Sequence, residues 1–123
     1  MSYLYIIAGA VLGAPLRYFA GSQVQKISAG PFPLATLVVN VSGCLVIGFF
    51  LGLAEQRGSL PREARLFVVT GFLGSYTTFS AFGWETYSLT RADDVARAAL
   101  NIILSVCLGL AAVWLGSVAA KLA

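Results

Sequence analysis

There is no histidine among the 123 residues of this chain. That absence removes Ser-His-Asp triads, Cys-His pairs and histidine metal sites from what one chain can build. Charge is nearly as scarce, with Asp, Glu, Lys and Arg making up 11% of residues, 8 basic against 5 acidic. The eight cations are scattered singly and form no basic patch, so the net charge of +3 does not point to nucleic acid. Cys44 and Cys107 make no metal-ligand spacing and fall inside apolar stretches, where packing is their expected role. Apolar residues are what the chain has in quantity. Hydrophobic residues reach 59%, and with the 13 glycines the share is about 70%, against ~45–50% in soluble domains. Mean hydropathy is +0.86. So little polar surface cannot cover a soluble core, which argues against a soluble enzyme and for one all-α integral membrane domain over residues 1–123.

Four apolar stretches, at about 3–24, 33–54, 64–89 and 98–120, are each long enough to span a ~30 Å hydrocarbon core as a helix. Irregular backbone cannot face lipid, so all four are expected to be transmembrane helices. Pro31 and Pro33 separate the first two, Gly58 and Pro61 the next two, and Asp93 or Asp94 is the expected N-cap of the last. The first stretch lacks a charged leading region and a cleavage site, and reads as a retained helix. Small-residue steps, Gly9-xxx-Gly13 continued by Gly21 and Gly48-xxx-Gly52, predict close helix packing.

Four spans place both termini and the central loop on one side. That side carries Arg57, Arg62, Arg65 and Lys121; the other carries Arg17, Lys26, Arg91 and Arg97. Orientation follows the excess of positive charge on one side, and here the two sides balance, so either a weak orientation preference or insertion in both orientations is expected. Four helices enclose little space, which favours a polar pathway formed between subunits.

Polar residues at membrane depth each need a reason. Thr36 and Asn40 lie one turn apart on one face of the second span, and Asn101 and Ser105 repeat the arrangement in the fourth. They either hydrogen-bond neighbouring helices or line a pathway. In the third span, the run Gly71–Gly83 places Ser75, Tyr76, Thr77, Thr78 and Ser80 among Phe72, Phe79 and Phe82. Gly74 followed by β-branched Thr77 and Thr78 is poor helix material, so a break in mid-membrane is expected. The freed carbonyls then either bind a dehydrated cation or are satisfied by threonine hydroxyls. Phe79 and Phe82, at i and i+3, are either core or offer the positive edges of their rings to a small anion. Arg17 and Glu85 lie within spans, and each either faces a vestibule or reaches the headgroups.

Taken together these residues resemble the small bacterial fluoride channel family, Fluc, also called CrcB. The resemblance rests on Gly13-Ala14-xx-Arg17-Tyr18, Thr36-Leu37-xx-Asn40 and Gly71-Phe72-x-Gly74-xx-Thr77-Thr78-Phe79-Ser80-x-Phe82, in order along four helices. It implies an antiparallel, dual-topology homodimer in the bacterial inner membrane, with two pores that export fluoride passively. In that case Asn40 hydrogen-bonds the ion, Phe79 and Phe82 turn ring edges to it, and Ser80, Thr36 and Ser105 contribute hydroxyls. Carbonyls of Gly74 and Thr77 from both subunits hold a structural Na+, Arg17 lines the vestibule, and Glu85 matches a glutamate near the pore end. The chain departs from the pattern at Ala35, Ser75 and Ala81. It also has Asn101 where a tyrosine is typical, and Gly109 where a hydroxyl can continue the polar track. The competing reading, a dual-topology small multidrug antiporter, requires a carboxylate in the first span, which has Arg17 and no acid. A non-transporting assembly subunit would leave the hydroxyl-rich third span unexplained.

Overall fold

The computed structural model describes residues 1–123 and is helical almost throughout. Helix α1 covers Ser2–Ile27 and α2 covers Leu34–Gln56. The third span is divided. Its first part, α3 (62–76), consists of an α turn Arg62–Arg65, a wide π-helical stretch Leu66–Leu73 and a last α turn Gly74–Tyr76. Its second part, α4, is Phe79–Arg91, and α5 is Val95–Leu122. Four segments, Ser2–Ile27, Leu34–Gln56, Arg62–Arg91 and Val95–Leu122, are long and apolar enough to cross a membrane. Each of the four expected stretches is present, and the first, third and fourth extend by a few residues at both ends. Of the two cap candidates, Asp94 is the one used: its side chain accepts from the Arg97 amide at 3.2 Å, while Asp93 turns the chain at φ 58°. Hydrogen bonds from the Arg97 side chain and amide hold the Asp94 carboxyl below the usual carboxylate range.

The spans associate as two pairs, α1 with α3 and α2 with α5. Small residues make both contacts possible, because lipid offers no hydrophobic drive between helices and close backbone packing must supply the attraction. A Cβ on Gly9 would sit 2.6 Å from the Phe72 amide nitrogen, and one on Gly71 would sit 2.5 Å from the Ile6 carbonyl oxygen. A Cβ on Gly13 would overlap the Phe72 carbonyl and Ser75 Oγ. Across the other pair, a Cβ on Gly48 would overlap the Val113 backbone, and one on Gly52 would lie 3.0 Å from Ala120 Cβ. The expected small-residue steps therefore lie at real contacts, with one exception. Gly21 has nothing nearer than Ala35 Cβ at 4.0 Å, so the α1 contact ends before it.

The π-helical stretch lies where α3 packs closest on α1. Its signature is the Gly74 amide, which reaches the Val69 carbonyl five residues back. A wide turn of this kind shifts the register of everything after it, and such turns recur at functional sites. No residue type in Leu66–Leu73 announces it; the close approach of Gly9 and Gly71 supplies the context.

These contacts predict unequal responses to one added methyl. Gly48→Ala should destabilise the protein by about 1–3 kcal/mol, the usual effect of overpacking, whereas Gly21→Ala should be neutral. Thermal unfolding of the purified protein in detergent checks both; equal stability of the two variants would contradict the packing described.

Candidate functional site

The interruption of the third span sits at Thr77 and Thr78, two of the three residues expected to break it. Gly74 itself is helical, with φ −62° and ψ −30°. Thr77 (φ −80°, ψ 160°) and Thr78 (φ −149°, ψ 115°) are extended. β-branched residues tolerate that conformation well, and Thr78 then caps the next helix by accepting from the Ala81 amide at 3.2 Å.

Two backbone groups freed by the break are taken up by one side chain. Asn40 Nδ2 donates to the Thr78 carbonyl at 2.9 Å, and the Thr78 amide donates to Asn40 Oδ1 at 2.8 Å. The amide thus pairs with Thr78 as a neighbouring strand would. It commits one of its two amide hydrogens and keeps the other. At the end of α3, the Leu73 carbonyl accepts from both the Thr77 amide (3.0 Å) and the Thr77 hydroxyl (2.9 Å). The Tyr76 hydroxyl meets Ser42 Oγ at 2.9 Å, which ties this end to α2.

The carbonyls of Gly74 and Thr77 lose their usual helical partners. The amide four residues beyond Gly74 belongs to Thr78 and is spent on Asn40; the one beyond Thr77 belongs to Ala81 and is spent on the cap. Thr77 instead accepts from Arg17 Nη1 at 3.3 Å. Arg17 therefore turns inward and does not reach for the headgroups.

Two cavities flank the break, and Thr78 lines both. The first, about 490 Å³, contains Arg17, Thr36 and Ser80. The second, about 420 Å³, contains Asn40, Gly74, Thr77, Phe79, Phe82 and Ser105, and no charged residue lines it. The Phe79 and Phe82 rings stand 5.5 Å apart, inclined at 41°. Phe79 is 82% exposed in the single chain, so this cavity is open on the side of its rings. Nine of the ten residues to which the family resemblance gives a role line one cavity or the other. Glu85 lines neither. Its Oε1 accepts from the Thr36 hydroxyl at 2.7 Å, while its Oε2 is buried without a partner. The bond commits the Thr36 proton and joins α4 to α2.

Sequence reasoning missed the part played by Thr78. Its signal is present, since a threonine directly before a helical run is a common N-cap. Cys44 is also half-buried against the second cavity.

The Asn40–Thr78 pairing generates a direct expectation. Removing it in Asn40→Ala strands a backbone donor and an acceptor, each worth ~1–3 kcal/mol. The Thr78 amide should then exchange with solvent deuterium about tenfold to a hundredfold faster. An unchanged exchange rate would show that another group satisfies the break.

Residues 4–117 match the family described as CrcB-like protein, Camphor Resistance (CrcB). The chain is 43% identical over 121 residues to a protein of Solibacter usitatus named fluoride-specific ion channel FluC, covering 98% of this chain and 99% of the relative. It is 45% identical over 122 residues to the so-named protein of Methylocella silvestris, covering 98% and 93%. For that of Flavobacterium psychrophilum the identity is 43% over 117 residues, covering 95% and 94%. With four membrane-length helices, and a pattern shared along almost its whole length, the chain is a multi-pass integral membrane protein that belongs to the CrcB family.

Proposed function

We propose that the chain is a fluoride-selective ion channel, and that it works as an antiparallel homodimer. The observation that carries this reading is the second cavity, where an uncommitted Asn40 amide hydrogen, the Ser105 hydroxyl and two phenylalanine rings converge without a fixed charge. Relatives over 40% identical along nearly the full chain carry the name of fluoride-specific channels, which supports it.

The physics suits the ion. Fluoride is small and holds its hydration shell strongly, so a path through the membrane must replace water with other donors. Amide and hydroxyl hydrogens do so, and the ring edges of Phe79 and Phe82 add the positive end of the aromatic quadrupole. A cation beside the ion would bind too tightly for conduction, which needs sites favourable to enter and weak enough to leave. Arg17, in the first cavity, draws anions toward the break from a distance, and Ser80 offers a hydroxyl there. Thr36 joins the path only when its proton leaves Glu85. A channel supplies no chemical step and no energy; net export follows the fluoride gradient. The antiporter reading finds no acid in α1 to carry its proton exchange.

A second copy accounts for what one protomer leaves open. Phe79, Gly74 and Thr70, all within the third span, are exposed. Polar groups facing lipid are costly, so a protein partner on this side is favoured. With Arg17 drawn inward, the remaining Lys and Arg divide nearly evenly between the two ends, which favours insertion both ways, hence an antiparallel pair. The Gly74 and Thr77 carbonyls, deprived of their helical donors, suit a Na+ shared between copies. The guanidinium on Thr77 already marks one of them as attractive to a cation. Bound there, Na+ would neutralise the oxygens that the break exposes.

Three outcomes are expected. Liposomes containing the purified protein should release fluoride under a voltage-driven efflux assay and retain chloride; equal rates for the two ions would overturn the channel reading. Phe79→Ile and Phe82→Ile should each lower fluoride efflux by about tenfold or more, the effect of ~1.4 kcal/mol or more on a barrier, while the dimer persists on size-exclusion chromatography. In a background lacking Cys44 and Cys107, Ser2→Cys should react with a membrane-impermeant thiol reagent on about half of the chains from each side of the membrane. Labelling from one side only would exclude the antiparallel arrangement.

A further inference from the structure

Helix α4 carries both phenylalanines, yet little in the protomer holds it. Only Leu89 among its thirteen residues is buried. The extended pair Thr77–Thr78 disconnects it from α3, so no continuous helix sets its rotation. Polar tethers do this instead. Asn40 holds its start at Thr78, and Thr36 meets Glu85 on the side of α2. A third tether comes from α5. Asn101, 2% exposed, is the one polar side chain fully buried in the protomer. Its Nδ2 donates to Thr86 Oγ1 at 2.9 Å, and Thr86 Oγ1 in turn donates to the Phe82 carbonyl at 2.8 Å.

The register of this tether gives it a consequence beyond packing. Phe79, Phe82 and Thr86 stand at i, i+3 and i+7, on one stripe of α4. Whatever holds Thr86 therefore holds the face that presents both rings. On α5, Asn101 and Ser105 lie one turn apart on one face. Ser105 lines the same cavity as Phe82, whereas Asn101 does not. The Asn101–Thr86 bond thus sets the register of the cavity's hydroxyl against its rings.

We propose that Asn101, acting through Thr86, is a positioning residue for the ion path. It fixes the rotation of α4 against α5 and so the aim of Phe79 and Phe82, and it contributes no ligand of its own. The inference rests on the fluoride-channel reading above. The chemistry is specific to an amide at this place. With the Thr86 proton committed to the Phe82 carbonyl, Thr86 Oγ1 can only accept, so its partner must donate.

Unitary fluoride currents in planar bilayers test this, because current through one open channel does not depend on how much protein folds. Thr86→Val and Asn101→Leu should each reduce the unitary current about fivefold, and the double variant should be no worse than either. Thr86→Ser, which keeps the hydroxyl, should stay within about twofold of the wild type. Should a single variant fail to fold, the double variant leaves no unpaired polar group at the contact and carries the test alone. A wild-type unitary current in the double variant, with thermal stability alone altered, would overturn the positioning role. Strictly additive losses from the two single changes would overturn it too. Absence of fluoride current in the wild type would bring down the channel reading and this inference with it, which separates the two failures.

Discussion

At membrane depth a backbone group that leaves the helical ladder finds no water to replace its partner, and leaving it bare costs several kcal/mol. The interrupted third span exists within that constraint. Two extended threonines open the ladder, and the protein closes most of the account locally. Asn40 pairs with both backbone groups of Thr78, the Thr78 hydroxyl caps α4, and the Leu73 carbonyl takes two donors from Thr77. What is left is a small set of carbonyls around Gly74 and Thr77, one of them met by Arg17. The two cavities lie on either side of this repaired break, and Thr78 is the residue they share.

Placing the break where polar side chains converge has a mechanical result. Once α4 is disconnected from α3, its orientation is set by side chains from α2 and α5. Asn40, Thr36 and Asn101 each reach it with a hydrogen bond. The ring pair thus depends on polar contacts that are short and directional, and stronger away from water than in it. The glycines give the complementary rigidity. Gly9, Gly13 and Gly71 bring α1 against α3, and Gly48 and Gly116 bring α2 against α5, at distances that leave no room for a Cβ, with Gly52 a tight fit beside them. Two tightly packed helix pairs frame one loosely packed, polar-tethered half-helix.

The sparse charge fits the same arrangement. Within the spans, Arg17 and Glu85 are both engaged by neighbours, at the Thr77 carbonyl and the Thr36 hydroxyl respectively. Neither stands in the cavity that holds the phenylalanines. A small anion passing that point would meet partial charges only.

Composition and hydropathy alone determined the membrane location, the four helices and the lack of histidine chemistry, because burial in lipid requires long apolar runs wherever they occur in a sequence. Residue types and spacing also marked Asn40, Phe79, Phe82 and the break itself. The positions of β-branched and hydroxyl residues restrict local backbone whatever surrounds them. Several features depended on distant parts of the chain and were not legible there. The break lies at Thr77–Thr78, and Gly74 stays helical, because Asn40 from another helix is on hand to satisfy Thr78. The π-helical stretch arises where α3 meets α1, and Gly21 has no partner where the glycine spacing promised one. For Asn101 the sequence left a neighbouring helix and a pathway open, and packing decided for the first, a buried tether to Thr86. A helical face can be read from periodicity, but which neighbour covers that face, and whether a polar group on it finds a partner or a cavity, is decided only when the helices pack.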